Sequence, residues 1–174
     1  MKQLVNITLP STYYPSIFYS SRDLTVEFTD QLSDMIQTPF IFDLLEYEEI
    51  DTYKPWLSQE ESVPSLFTEW ERDKQQLTEL YSLRKRKEAR PTSLKCISLF
   101  FMALYWTNEK SVQSVNELDE HISKLKIKPV NCVERLSYII NAPDHYHSFI
   151  QLTQLFDELN KQFHKSIFMQ QKKL

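Results

Sequence analysis

An all-α fold follows from three features of this chain. Apolar residues recur at helical spacing through most of its length. No stretch alternates apolar and polar residues cleanly over the length of a strand. Glycine is absent from all 174 residues, where ordinary usage would place about 12. Glycine serves positions that need positive φ or close approach of a ligand to the main chain. Its absence excludes the phosphate loop G-x-x-x-x-G-K-[ST], the dinucleotide turn G-x-G-x-x-G and the nucleophile elbow G-x-S-x-G. The expected architecture is an irregular bundle of six or seven helices around one central apolar helix at about 92–107.

The elements follow in order. Residues 1–22 read as an irregular N-terminal segment, because Pro10 and Pro15 interrupt any helix. Residues 23–174 read as a single helical domain. Leu24, Phe28, Leu32, Met35 and Ile36 predict its first helix. Thr38-Pro39 then suits a cap and first turn for a short helix from Phe40 to about Glu46. Residues 47–62 read as an acidic linker, with Glu48, Glu49, Asp51, Glu60 and Glu61 around Lys54-Pro55-Trp56. Ser62 and Pro64 open a long helix to about Glu88, with Leu66, Phe67, Trp70, Leu77, Leu80 and Tyr81 on its apolar face. Its basic end suits the negative pole of the helix dipole.

Pro91-Thr92 begins the central helix, whose residues from Leu94 to Trp106 leave almost no polar face. A helix apolar on all sides is one surrounded by others. Ser114 and Glu117 match a capping box for the next helix. Asn131 caps another, with Val133, Leu136, Ile139 and Ile140 inward. The last helix runs from about Asp144 to Gln170. Its Phe149, Leu152, Phe156, Leu159 and Phe163 form a seam of two heptads, suited to packing within a bundle. With no glycine available, Asn108 and Asn141 are expected to take the left-handed positions that close helix ends.

The net charge of −4 conceals a division. Residues 1–80 hold 5 Lys and Arg against 15 Asp and Glu, and residues 81–174 hold 15 against 9. The halves either attract each other within the fold or form separate surfaces for partners. Cys96 and Cys132 lack CxxC spacing and lie in apolar helical patterns, which suits buried thiols in a reduced compartment. Residues 1–10 lack the apolar core of a signal peptide. The longest apolar run, Cys96 to Trp106, is eleven residues, where a membrane span needs about 20. The expected location is the cytoplasm, with no membrane partner.

Three stretches, Phe101-Met102-Ala103-Leu104-Tyr105-Trp106-Thr107-Asn108-Glu109, Lys128-Pro129-Val130-Asn131-Cys132-Val133-Glu134-Arg135-Leu136 and Ala142-Pro143-Asp144-His145-Tyr146-His147-Ser148-Phe149, stand together with Leu66-Phe67-Thr68-Glu69-Trp70. In these, residues 39–165 resemble the YpoC-like family of small proteins from Gram-positive bacteria. The resemblance implies an intracellular, soluble, mainly helical protein. It carries over no activity, cofactor or site residue.

Arg84, Lys85, Arg86, Lys87 and Arg90 form the densest basic cluster and are the candidates for binding nucleic acid or another polyanion. An acidic pI near 5.6 argues against a dedicated nucleic-acid binder. Trp56 either docks on the core or anchors a protein partner. His145 and His147, with Asp144, His121 or Cys132, have the residue types of a metal or nucleophile site. Their i, i+2 spacing places the two histidines on different faces of a helix, and no metal or cofactor is called for. The leading expectation is a non-enzymatic module that binds another protein. Polyanion binding through 84–90 is the alternative, and an enzyme with a His/Cys site is a second one.

Overall fold

The computed structural model describes residues 3–173. Met1, Lys2 and Leu174, which belong to the segments expected at the two ends, lie outside the described residues. Seven α-helices dominate: α1 (Leu32–Met35), α2 (Ile41–Tyr47), α3 (Gln59–Ser82), α4 (Arg86–Thr107), α5 (Leu118–Ile122), α6 (Cys132–Asn141) and α7 (Tyr146–Lys172). A 3-10 turn, Pro55–Leu57, precedes α3. The central helix is α4, in which every residue from Cys96 to Thr107 is buried. Its antiparallel neighbour α3 and the long α7 pack against it.

Aromatic rings join these three helices. Trp70 of α3 stacks on Phe156 of α7 at 4.3 Å and 8°. Phe100 of α4 meets the same ring edge-on at 5.2 Å, and Phe67 lies 6.0 Å from Phe163. The whole heptad seam of α7 is buried, inside the bundle as its spacing requires.

The N-terminal region departs from the all-helical expectation. Gln3–Thr8 forms strand β1 and Asp23–Phe28 forms strand β2, paired antiparallel with Val5 opposite Val26 and Ile7 opposite Leu24. Val5, Ile7, Leu24, Val26 and Phe28 turn to the core, while Asn6 accepts the Thr25 hydroxyl on the outer face at 2.8 Å. Leu24 and Phe28 fit a helix, but a spacing of four satisfies the strand period of two equally well. Only a four-residue helix, α1, survives from the span expected to be helical.

Helices α3 and α4 begin earlier than their prolines suggest. Pro64 and Pro91 are each the sixth residue of their helix. Each ring leaves one carbonyl of the preceding turn without its N–H partner, on Glu60 and Lys87, which are exposed residues where water can serve it. Tertiary bonds also hold the start of α3: Gln59 donates from Nε2 to the carbonyls of Trp106 and Thr107 at 2.6 and 2.8 Å, and Ser62 donates to the Pro55 carbonyl at 2.7 Å.

The turns close on other residues than asparagine. Glu49, Arg84 and Glu109 hold the left-handed conformation after α2, α3 and α4, with φ of 58°, 57° and 59°. Ile50, Lys85 and Lys110 then donate their N–H groups to the carbonyls five residues back, the Schellman pattern. Asn108 keeps φ at −92°. Its side chain instead donates to the Leu104 and Ile127 carbonyls and accepts from the Ile127 N–H, tying α4 to the loop before α6. Asn141 is the last residue of α6 and has no positive φ. Nor does the capping box form. Ser114 binds the Asn116 N–H and the Thr12 carbonyl, and Glu117 is itself the left-handed residue before α5.

Asp43 on α2 is the pivot between the N-terminal region and the bundle. It is 2% exposed. Its Oδ1 accepts from Trp106 Nε1 at 3.1 Å and from the Val112 N–H at 2.6 Å, while Oδ2 is buried without a partner. Tyr13 donates to the Val112 carbonyl at 2.6 Å from the other side. Burial raises the Asp43 pKa from 3.8 to about 7, against the lowering effect of the Val112 and Trp106 hydrogen bonds.

A raised folded-state pKa means that, between the unfolded and folded values, the folded protein holds a proton that the unfolded chain has lost. Stability therefore falls as pH rises through this window. Asp43→Asn keeps the Oδ1 acceptor and removes the titration. Its stability advantage over the parent, measured by denaturant unfolding, is expected to grow between about pH 4 and pH 7 and to level off above. A difference that stays flat with pH would refute the assignment. At the helix ends, Glu49→Gly, Arg84→Gly and Glu109→Gly are each expected to stabilise by roughly 0.5–1 kcal/mol. Asn108→Gly is expected to destabilise by about 2 kcal/mol through lost hydrogen bonds. Equal effects at Asn108 and Glu109 in the same unfolding assay would contradict the turn assignment.

Candidate functional site

A groove of about 890 Å³ opens between the hairpin end, α1, α2, the loop 50–53 and the first turns of α3. Its floor is apolar because strand and helix periods converge on it. Val5 and Phe28 come from the hairpin, Leu32 from α1, Phe42 and Leu45 from α2, and Ile50 from the turn that Glu49 closes. Tyr53 stands over Phe42 edge-on at 5.7 Å and donates its hydroxyl to Glu61 at 3.2 Å. Asp30, Asp51 and Glu61 form the rim, all exposed. No described cation pairs with any of the three. Lys54, the one basic residue between positions 23 and 71, is held by Glu46 at 3.0 Å.

The rim carboxylates are in solvent, and the floor offers no nucleophile or base. The acidic bias seen along the first half of the chain is thus gathered around an apolar cleft. Its acidic component is legible in the sequence. The cleft is not, because Val5 and Phe28 reach one wall only through the β1–β2 pairing.

The residues singled out in the sequence are dispersed. Trp56 is 6% exposed and packs in the core, where the 3-10 turn at Pro55 and the Ser62 hydrogen bond direct it. It is therefore not an exposed anchor. Cys132 is the first residue of α6, and His145 and His147 lie beyond its far end. Ten helical residues, about 15 Å of rise, separate the thiol from the histidines. Burial pushes the Cys132 thiol up to about 12, despite Arg135 and Lys128. Burial likewise raises Cys96, with the Asp73 charge adding to it. Neither thiol has the depressed pKa of a nucleophile.

His145 and His147 are exposed, and Asp144 is engaged elsewhere. Arg86 donates to its Oδ1 at 3.2 Å and Arg90 lies 3.6 Å away. Partial burial works to raise the Asp144 pKa, and the Arg86 hydrogen bond with both guanidinium charges outweighs it, leaving the pKa below the ordinary value. Glu117, Glu120 and His121 bring ligand atoms within 4.8 Å of one another, but the two carboxylates are exposed, at the start of a five-residue helix.

The basic cluster is exposed but differently placed than the sequence implies. Because α3 ends at Ser82, the cluster occupies the turn and the first residues of α4, at the positive pole of that helix. Asp144 draws in Arg86 and Arg90, and Lys85 faces Glu88 at 3.9 Å. Arg84 and Lys87 have no carboxylate within ion-pair distance among the described residues.

A buried charge network that the sequence reading missed lies between α3 and α4. Lys95 Nζ reaches Glu69 at 2.5 Å and Asp73 at 2.9 Å. Glu69 also accepts from Gln37 at 3.0 Å and pairs with Arg72. Both Glu69 oxygens are thereby engaged, and the network fastens the turn after α1 to α3 and α4. A signal for it existed: Glu69 and Asp73 stand in phase with the apolar residues Leu66, Trp70 and Leu77, where a solvated face is not expected.

Comparisons with known proteins add the following. The family model described as "YpoC-like protein" matches residues 60–171. The uncharacterized protein YpoC of Bacillus subtilis (strain 168) is 31% identical over 145 residues, covering 83% of this chain and 87% of the relative. No solved structure matches. No helix among the described residues is long and apolar enough to cross a membrane.

Proposed function

This chain belongs to the YpoC-like family, and from that premise we propose that it is a non-enzymatic protein-interaction module whose docking surface is the acidic-rimmed groove. One observation carries this reading: the half-buried side chains of Val5, Phe28, Leu32 and Ile50, laid over buried Phe42 and Leu45, line a groove under three carboxylates that no described cation neutralises. Apolar surface left open in this way is characteristic of a binding site. The matching ligand is a protein segment with apolar side chains flanked by basic ones. The family match covers α3 to α7 and begins at Glu60, so the hairpin and α2 walls of the groove lie before it.

A second reading, binding of a polyanion by Arg84, Lys85, Arg86, Lys87 and Arg90, has Arg84 and Lys87 in its favour, exposed and without a described carboxylate partner. Against it, Asp144 offsets Arg86 and Arg90.

The groove is tested by placing a photo-crosslinking residue at Thr52 in the full chain inside living cells. A discrete protein adduct is expected, and Asp51→Lys with Glu61→Lys should remove it. The absence of any rim-dependent adduct would sink the reading. For the second reading, a gel shift of duplex DNA is expected at about 50 mM salt, weakened at least tenfold by Arg84→Glu with Lys87→Glu. No shift in the parent protein would exclude it.

A further inference from the structure

The last turns of α7 have the properties that the groove demands. Phe163 is the last buried residue of the helix, yet the helix continues to Lys172. Phe168 and Met169 are 54% and 50% exposed. Lys165 precedes them by about one turn, and Lys172 and Lys173 follow by about one turn. Lys172 lies over the Phe168 ring at 4.7 Å. The sequence holds no acidic residue after Glu158, and none of Lys161, Lys165, Lys172 and Lys173 pairs with a described carboxylate. The helix therefore projects an apolar pair set among four cations.

The position of this tip matters as much as its composition. Ile167 and Gln170 border a small cleft with Leu57, Ser58 and Glu61, and Glu61 also stands on the rim of the large groove. The end of α7 and the rim of the groove thus adjoin at Glu61, on one side of the molecule. Two copies related by a two-fold axis on that side can each offer a tip to the other's groove, which closes the assembly as a dimer. An intermolecular contact also covers Phe168 and Met169, which are exposed in a single copy, and pairs the acidic rim with the lysines of α7.

We propose that the groove is occupied by the α7 tip of a second copy of this chain, with Phe168 and Met169 on the apolar floor and the flanking lysines against Asp30, Asp51 and Glu61. The proposal rests on the reading of the groove as a docking surface and names its occupant.

Light scattering of the full chain, coupled to size exclusion over a range of concentrations and two salt concentrations, tests it. The expected result is twice the 20.9 kDa chain mass at low salt and dissociation toward one chain as salt rises. Phe168→Asp with Met169→Asp, and separately Asp51→Lys with Glu61→Lys, should each weaken association at least tenfold. All four residues are exposed, so unchanged circular dichroism and melting will show that the fold survives. Mixing the tip variant with the groove variant leaves one intact contact per pair and should restore a two-chain species. A parent protein that stays a single chain at every concentration, or an association that neither variant weakens, overturns the proposal. A single-chain protein that still gives a rim-dependent adduct with a different protein from Thr52 overturns only the second copy as occupant. The loss of that adduct as well removes the groove.

Discussion

Twelve consecutive residues of α4, Cys96 to Thr107, have no face toward solvent, and the rest of the molecule answers that constraint. A helix can be buried on all sides only if each neighbour supplies an apolar stripe. α3 supplies Leu66, Phe67, Trp70 and Leu77, and α7 supplies its heptad seam. The stacked pair Trp70 and Phe156, with Phe100 edge-on, is where the three helices meet. The remaining side is closed by Phe40, whose ring lies 6.2 Å from Phe101 and 5.6 Å from Tyr13. The N-terminal region is thus the last wall of the core rather than an accessory laid over it.

Polar groups drawn into this packing set the connections between the layers. Asp43 binds α2 to the end of α4 and to Val112, and Gln59 caps the same end from α3. The Glu69, Asp73 and Lys95 network does the equivalent work at mid-helix. Buried carboxylates are tolerated where hydrogen bonds or opposite charge compensate them. The Oδ2 of Asp43 is the exception, buried without a partner, and burial of the carboxyl holds its pKa well above that of an ordinary aspartate. Without glycine, the turns place Glu49, Arg84 and Glu109 in the left-handed region, at a cost of about 1–2 kcal/mol apiece. The long charged side chains at these sites remain in solvent, so the cost is confined to the backbone.

Charge is segregated in space as it is along the chain. Three carboxylates of the acidic first half rim the groove, while the last turns of α7 carry lysines and no acid. Arg86 with Asp144 and Arg135 with Glu158 pair within the second half, and Lys95 reaches across to Glu69 and Asp73 between α3 and α4, away from the groove rim. The acidic rim is therefore not neutralised by the basic half of its own molecule.

Much of the bundle was legible in the sequence. The unbroken apolar run of α4, the heptad seam of α7 and the apolar stripe of α3 each identify an element and its buried face, because helical periodicity over four or more turns is a local property of the chain. Its limits appear where the deciding contact is remote. Leu24 and Phe28 read as helix until Gln3–Thr8 pairs alongside them, since a spacing of four serves both periods. Pro64 and Pro91 read as helix starts until exposed carbonyls and the Gln59 contact allow earlier ones. Asn108 reads as a turn residue until Ile127 gives its amide a better use. The sequence by itself determined the helical core, the absence of glycine-dependent nucleotide sites and the family resemblance. The hairpin, the left-handed turns and the groove were decided by tertiary structure, because each requires hydrogen bonds or surfaces from segments far apart in the chain.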